Sequence, residues 1–135
     1  MSGIACFSNR CLLCCFVQIR RNNGLWYSAE YSTFSISDEV GNYQLMVAGY
    51  SGDAGNARMN VQVLHWNANG MKFSTVDRDN DLFIGVHCAA HIEFYGGWWY
   101  NQCGTSVVNR DGAGFWKTVG DVKDVQDSRM LVKLN

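Results

Sequence analysis

Three aspartates at alternate positions, Asp77, Asp79 and Asp81, constrain this chain more than any other feature. Carboxylates this close along the chain repel one another unless a cation or solvent lies among them. Further on, residues 96–103 read Gly-Gly-Trp-Trp-Tyr-Asn-Gln-Cys, which has no helical or strand period. Residues 69–103 therefore predict a loop that binds a hard cation, followed by an aromatic loop that forms a binding pocket.

The aspartates have two other interpretations. An EF-hand loop requires glycine at its sixth position and a bidentate glutamate at its twelfth. Those positions hold Leu82 and Cys88, which excludes an EF-hand. The remaining alternative is a solvated acidic turn, a common loop structure.

Length and charge limit the classes of protein to which this chain can belong. A sequence of 135 residues fits one domain with a sizeable core. The net charge of -1 provides no electrostatic attraction to nucleic acid or to an anionic membrane. The longest apolar run, residues 11–17, is far shorter than the roughly 20 residues of a membrane-spanning helix. The first residues also lack the order of charges typical of a signal peptide.

The cysteines fall into two groups. Four lie near the start and two bracket the aromatic loop: Cys6, Cys11, Cys14 and Cys15, then Cys88 and Cys103. A disulfide within the second group would close a loop of about 16 residues and contribute roughly 3 kcal/mol, which presumes an oxidising compartment.

The first group offers a different class of function. Cys6, Cys11 and Cys14 have the C-x4-C-x2-C spacing of a plant-type iron-sulfur cluster, for which Cys88 would have to supply the fourth thiolate. The apolar, strand-like surroundings favour buried or unpaired thiols instead. Reversible acylation of Cys14 or Cys15 is a further alternative.

Short strands and turns dominate the rest of the protein. Alternating apolar residues around the turn signal Asn-Asn-Gly at 22–24 predict a hairpin of residues 16–20 and 25–31. Residues 34–36 and 43–48 predict two more strands.

Later segments are less regular. Glycines in residues 50–55 predict a break, and residues 57–66 fit either a short helix or a strand. Beyond residue 70 the composition predicts long ordered loops. Residues 128–134 alternate again and predict a strand that rejoins the sheet at an edge.

Catalysis is not indicated. His65, His87 and His91 lie in no recognisable nucleophile motif, and no Gly-x-Ser-x-Gly turn occurs. A zinc site at His87 and Cys88 would need a second pair of ligands at finger spacing, which the sequence lacks. The protein is therefore predicted not to be an enzyme.

A series of short motifs in a fixed order resembles the fibrinogen-related domain, the globular module of fibrinogen chains, ficolins, tachylectins and angiopoietins. The motifs are Ala-Glu-Tyr-Ser-Thr-Phe at 29–34, Tyr-Gln-Leu at 43–45, Gly-Tyr-Ser-Gly-Asp-Ala-Gly at 49–55, Asn-Gly-Met-Lys-Phe-Ser-Thr at 69–75, Asp-Arg-Asp-Asn-Asp at 77–81, Cys-Ala at 88–89, Gly-Trp-Trp-Tyr at 97–100, Cys103 and Ser-Arg-Met at 128–130.

The resemblance implies an α+β fold: a small twisted, mainly antiparallel sheet with short helices, followed by a loop-rich calcium-binding subdomain. Residues 16–135 would form a partial domain of this family and residues 1–15 a segment foreign to it. The front subdomain of such modules has no counterpart here, so we expect a truncated domain or an incomplete gene product.

Calcium ligands also follow from the resemblance. It assigns the ion to the carboxylates of Asp79 and Asp81 and to the carbonyls of Phe83 and Gly85, with Asp77 supporting from nearby. Side-chain and main-chain oxygens of this kind suit Ca²⁺.

The resemblance further implies a Cys88–Cys103 disulfide and a cis peptide bond between Gln102 and Cys103. In lectin-type relatives the amide of this cysteine donates to an acetyl group on the ligand. The predicted ligand-binding residues are Tyr95, Gln102, Cys103 and Gly104. The pair Trp98 and Trp99 is instead predicted to pack in the core.

Several departures from the family pattern affect specificity. Residues 104–110 lack the histidine that many relatives carry after the second cysteine. His91 and Ile92 replace a glutamine and an aspartate of the peptide-binding pocket of fibrinogen. The segment after Asn109 is also shorter.

The predicted function is a calcium-dependent, secreted recognition module of the ficolin and tachylectin kind, acting in innate immunity on acetylated glycans. The alternative is an angiopoietin-like or fibrinogen-like module that binds a cell-surface or extracellular protein, or a fragment without function. No nucleic-acid partner and no membrane span are expected, whereas a homo-oligomer is compatible with the sequence.

Overall fold

The computed structural model describes residues 13–57, 65–110, 114–116 and 125–134. Within these ranges six strands and one short 3₁₀ helix occur. Their bounds are β1 Leu13–Arg21, β2 Trp26–Ile36, β3 Leu45–Gly52, the 3₁₀ helix Cys88–Ala90, β4 Ser106–Val107, β5 Phe115–Trp116 and β6 Val125–Leu134. Over the described part of the protein, no helix has the length and apolar character that crossing a bilayer requires.

Four strands form one antiparallel sheet in the order β3-β2-β1-β6. The predicted hairpin is confirmed: β1 and β2 are joined by a turn in which the Gly24 amide donates to the Arg21 carbonyl at 2.9 Å. Gly24 has φ +82°, which suits glycine at this turn. The two strands predicted over 25–31 and 34–36 are a single strand, because the pairs of β2 with β3 continue through Thr33.

The predicted last strand is confirmed at the edge of this sheet. β6 pairs with β1 over its whole length and begins at Val125, three residues before the predicted start. An ion pair between Arg20 of β1 and Asp127 of β6 lies on the solvent side of this pair.

The position of β3 differs from the prediction. Asn42 and Tyr43 have φ of +54° and +53°, which a strand cannot contain, so β3 starts at Leu45. It then continues through the glycines that predicted a break. At Gly52 a Cβ would lie 2.2 Å from the Ser28 carbonyl oxygen, so glycine permits the close approach of β2 and β3 rather than ending the strand.

One face of the sheet forms the core. Strand alternation buries Val17 and Ile19 of β1 completely. The loop region covers this face with large aromatic side chains, three of which are nearly inaccessible: Trp98, Tyr100 and Trp116. Strands β4 and β5 form a separate two-stranded sheet that positions Trp116. The predicted fold class is confirmed.

The thiols near the start do not support the iron-sulfur alternative. Cys15 is buried in the sheet, and burial raises the pKa of its thiol to about 12. Cys14 is half-buried. Cys88 forms a disulfide with Cys103, so it cannot supply the fourth thiolate that this alternative requires.

Two other predictions fall outside the described residues. These are the roles of Cys6 and Cys11 and the choice between helix and strand over residues 57–66, of which residues 58–64 are not described.

Candidate metal centre and the adjacent disulfide loop

The acidic segment starts with a tight turn over residues 75–78. The amides and carbonyls of Thr75 and Arg78 exchange hydrogen bonds of 3.0 Å. The Thr75 hydroxyl donates to the Asp77 carboxylate at 2.6 Å, and this hydrogen bond lowers the pKa of Asp77 below its usual value. The Asp77 carboxylate is therefore hydrogen-bonded within its own turn.

Asp79 and Asp81 follow as a pair of neighbouring carboxylates. The Asp79 carboxylate accepts the Asp81 amide at 3.2 Å. The Asp81 carboxylate accepts two amides, Phe83 at 2.8 Å on one oxygen and Cys88 at 2.8 Å on the other. These main-chain bonds fix the direction of the Asp81 side chain and leave its remaining lone pairs for another partner.

Phe83 and Gly85 belong to the turn that follows. The Phe83 carbonyl accepts the Val86 amide at 3.1 Å, and Gly85 has φ +80°. No atom lies within 4 Å of where a Cβ on Gly85 would be, so the turn projects into solvent. Both carbonyls thus lie in one exposed turn next to the aspartate pair.

These residues fit a hard cation. They combine two adjacent carboxylates with two main-chain carbonyls, the donor chemistry that Ca²⁺ prefers. Throughout the ranges described above, no three side chains of histidine, cysteine, aspartate or glutamate cluster as metal ligands, so Asp77 does not join the pair. Water and carbonyl oxygens would have to complete the coordination.

Without a cation, the surroundings of Asp81 disfavour its ionised form. Burial raises the pKa of the Asp81 carboxyl, the amides of Cys88 and Phe83 lower it, and the neighbouring Asp79 carboxylate raises it again, with a net increase. A cation bound between the two carboxylates would reverse this direction, because it favours the ionised form.

This shift predicts a pH dependence of stability. A raised pKa means that the folded protein holds the Asp81 proton more tightly than the unfolded chain. In chelator, the free energy of unfolding should therefore fall as pH rises from the usual aspartate pKa through the raised value. Urea unfolding across this range measures the effect. Calcium should remove the fall, and identical pH profiles with calcium and with chelator would contradict the prediction.

Hydrogen bonds join the acidic loop to the loop that carries the disulfide. The Cys88 amide binds Asp81, and Cys88 is linked to Cys103. A second connection runs from the Leu82 amide to the Asn101 carbonyl at 2.9 Å. The acidic loop is therefore hydrogen-bonded to the disulfide loop near both of its ends.

The predicted cis peptide bond before Cys103 is wrong. The described residues contain no cis peptide bond, and Cys103 instead has φ +57°. The backbone reverses here through this left-handed residue, with the Asn101 amide donating to the Cys103 carbonyl at 3.1 Å and the Gln102 amide to the His65 carbonyl at 2.9 Å. A left-handed residue costs less than a non-proline cis bond, which requires about 3 to 4 kcal/mol.

The predicted ligand-binding residues are only partly brought together. Gln102, Cys103 and Gly104 are consecutive, and the space beside Gly104 is open. Tyr95 is 44% exposed earlier in the disulfide loop, and its amide donates to the His91 carbonyl. Among the described residues, no hydrogen bond or ring contact joins Tyr95 to the other three.

The neighbouring tryptophans pack in the core, as predicted. Trp98 and Trp99 are 1% and 7% exposed, and their rings contact each other edge-on at 5.3 Å. The Trp99 indole donates to the Tyr43 carbonyl at 2.8 Å. Because both side chains are buried, they belong to the core and do not line a ligand-binding surface.

A separate groove of about 340 Å³ lies away from the acidic loop. It lies where β2 ends, β3 begins and the backbone turns at Asn69 and Gly70. The Asn69 side chain accepts the Val47 amide at 2.8 Å, so this turn closes the edge of β3. None of the predicted ligand-binding residues lines the groove.

Sequence reasoning missed Asn80, which secures the acidic loop. Its side chain donates to the Phe73 carbonyl at 2.8 Å, and its amide donates to the Ser74 hydroxyl at 3.0 Å. Ser74 in turn pairs with Trp98 through the main chain. The position of an asparagine between two aspartates was the available signal.

Comparison with known proteins identifies the family and the fold. The profile of the family described as fibrinogen beta and gamma chains, C-terminal globular domain, matches residues 4–128. The fibrinogen beta chain of Gallus gallus is 40% identical over 108 residues, which cover 70% of this chain and 22% of that protein. A protein of Phoneutria nigriventer described as techylectin-like is 44% identical over 81 residues, covering 60% of this chain and 32% of the relative.

A solved structure extends the similarity to the fold. The fibrinogen-like globe domain of human ANGPTL2 matches with a TM-score of 0.76 and 28% identity, covering 94% of this chain and 60% of that domain. The protein thus spans less than a third of the two curated relatives and less than two thirds of the solved domain.

Proposed function

Because this protein belongs to the family formed by the globular C-terminal domains of fibrinogen beta and gamma chains, we propose that it is a calcium-dependent extracellular module that recognises acetylated carbohydrates. Asp79, Asp81, Phe83 and Gly85 would hold the ion, and Tyr95, Gln102, Cys103 and Gly104 would contact the ligand. Its Cys88–Cys103 disulfide suits an oxidising, extracellular compartment. Similarity to a techylectin-like protein supports a lectin. A binding role without catalysis agrees with the family.

One observation carries this proposal. The Asp81 carboxylate binds the amide of Cys88, so the acidic pair and the disulfide loop are one hydrogen-bonded unit. A bound calcium ion would supply positive charge that removes the repulsion between Asp79 and Asp81. The hydrogen bonds between the two loops then keep the Gln102–Gly104 segment in a fixed orientation for a ligand.

Retention on N-acetylglucosamine resin tests the lectin activity. We expect the protein to bind in calcium and to elute in chelator. Tyr95→Ala should lower the affinity about tenfold, since the apolar area that the ring buries against the ligand is lost and about 1.4 kcal/mol corresponds to a tenfold change.

Tyr43→Ala is the matched control, because Tyr43 is 42% exposed and lies outside the disulfide loop. This variant should bind the resin like the original protein. Retention that persists in chelator, or equal losses in both variants, would contradict the proposed site.

A protein-binding function is the second candidate. The fold similarity to the globe domain of human ANGPTL2 favours it, since that similarity extends over 94% of this chain. In that case the same loops would contact an extracellular protein. Failure to bind sugars, together with a calcium-dependent rise in melting temperature, would favour this candidate over the lectin.

A further inference from the structure

Three consecutive apolar residues are exposed at the end of the acidic loop. Leu82, Phe83 and Ile84, here called the apolar tip, are 56%, 41% and 97% exposed. Scattered single apolar residues are normal on protein surfaces, whereas a continuous exposed run indicates an interaction.

The apolar tip is a projection with a defined backbone. The hydrogen bond from the Val86 amide to the Phe83 carbonyl closes its turn, and the Leu82 amide is bound to the Asn101 carbonyl. Ile84 lies at the end and is almost entirely accessible. A projecting turn of this shape can enter a soft apolar phase, whereas a protein partner would have to provide a matching pocket.

Charge near the apolar tip determines when it can approach a surface. Asp79 and Asp81 directly precede it, and the Phe83 amide is hydrogen-bonded to the Asp81 carboxylate at 2.8 Å. Two carboxylates at this position repel anionic lipid headgroups, and the net charge of -1 offers no compensating attraction. A divalent cation on the pair would neutralise this charge and attract phosphate and carboxylate oxygens.

A second exposed isoleucine belongs to a loop held by the same carboxylate. Ile92 is 82% exposed and follows the 3₁₀ helix Cys88–Ala90 by two residues. The first residue of this helix donates its amide to the second oxygen of Asp81. One aspartate thus fixes the backbone of two loops that present exposed isoleucines.

We propose that the apolar tip inserts into an anionic phospholipid surface when Asp79 and Asp81 hold calcium. This inference rests on the calcium site of the proposed function. Leu82 and Ile84 would enter the boundary between headgroups and acyl chains, and Asp79 and Asp81 would hold a calcium ion whose charge offsets their repulsion of anionic headgroups.

Sedimentation of the 135-residue protein with lipid vesicles tests this proposal. The protein should sediment with vesicles of mixed phosphatidylserine and phosphatidylcholine in calcium, and stay in solution in chelator or with phosphatidylcholine alone. The double variant Leu82→Ser with Ile84→Ser should lower the partition coefficient at least about tenfold, since burial of each side chain is favourable.

Val40→Ser is the matched control. Val40 is 91% exposed in a turn between Glu39 and Gly41, away from the acidic pair, so this variant should sediment like the original protein. Calorimetric titration with calcium separates the two proposals, because the double variant should bind calcium with unchanged affinity.

Several results would overturn the inference. Calcium uptake without vesicle binding would refute it and leave the calcium site standing, whereas absence of both would refute both. Equal sedimentation of the double variant, or equal sedimentation in chelator, would also refute it. A calcium-dependent dimer in gel filtration that the double variant abolishes, without vesicle binding, would assign the apolar tip to a second copy of this protein instead.

Discussion

Replacement of Trp116 by alanine is expected to lower the free energy of unfolding by about 3 to 5 kcal/mol. Trp116 is completely buried beneath the sheet, and its indole donates to the Gly55 carbonyl at 2.9 Å. The variant removes a large apolar volume and leaves that carbonyl without its donor. Because small domains are stable by about 5 to 15 kcal/mol, urea unfolding should show a large decrease in the midpoint.

The same substitution at an exposed tryptophan is the control. Trp26 is 46% exposed on the outer face of the sheet, with Arg20 and Arg129 at 5.7 and 5.0 Å from its ring. Trp26→Ala should cost only about 1 kcal/mol, since exposed cation–π contacts are weak. Equal losses at the two positions would contradict the assignment of Trp116 to the core.

Phenylalanine substitutions separate packing from hydrogen bonding. The buried indole N–H of Trp98 has no acceptor among the described residues, unlike that of Trp116. Trp98→Phe removes this unsatisfied donor, whereas Trp116→Phe leaves an acceptor unsatisfied. Trp116→Phe should therefore be the more destabilising by about 1 to 3 kcal/mol.

Removal of the disulfide by the double variant Cys88→Ala with Cys103→Ala should lower the free energy of unfolding by about 3 kcal/mol. The two cysteines are 15 residues apart, and the bond limits the conformations of the unfolded protein between them. Both side chains are buried, so lost packing adds to the effect. Urea unfolding should also show a steeper dependence on denaturant, because the uncrosslinked protein exposes more surface.

Cys14→Ala provides the control for this variant. Cys14 is half-buried and lies outside the disulfide, and its substitution should change stability by less than about 1 kcal/mol. If oxidised and reduced forms of the original protein unfolded at the same urea concentration, the disulfide would have no stabilising role. A loss of calcium binding in the double variant would indicate that the hydrogen bond from the Cys88 amide to Asp81 supports the calcium site.

Local patterns predicted much of the sheet. The Asn-Asn-Gly signal and the alternation on both sides of it predicted the β1–β2 hairpin, because a turn and its flanking strands are specified by neighbouring residues. The final strand was predicted for the same reason. The start of β3 was not, since the left-handed residues Asn42 and Tyr43 are held by hydrogen bonds from distant Phe73 and Trp99.

In the candidate site, too, the sequence predicted local features but not those that depend on distant residues. The order of motifs indicated the family, and the spacing of Asp79 and Asp81 indicated neighbouring carboxylates, because both are properties of short segments. The sequence could not show that the Cys103 peptide bond is trans, since the conformation of that turn depends on a hydrogen bond to distant His65.

By itself the sequence determined the family, the core role of Trp98 and Trp99, and the presence of neighbouring carboxylates in one loop. Tertiary structure decided which groups meet: Asp81 with the Cys88 amide, and Leu82 with Asn101. It also decided that the apolar tip is exposed. The physical reason is that exposure and long-range hydrogen bonds depend on residues far apart in the sequence, whose approach no local spacing specifies.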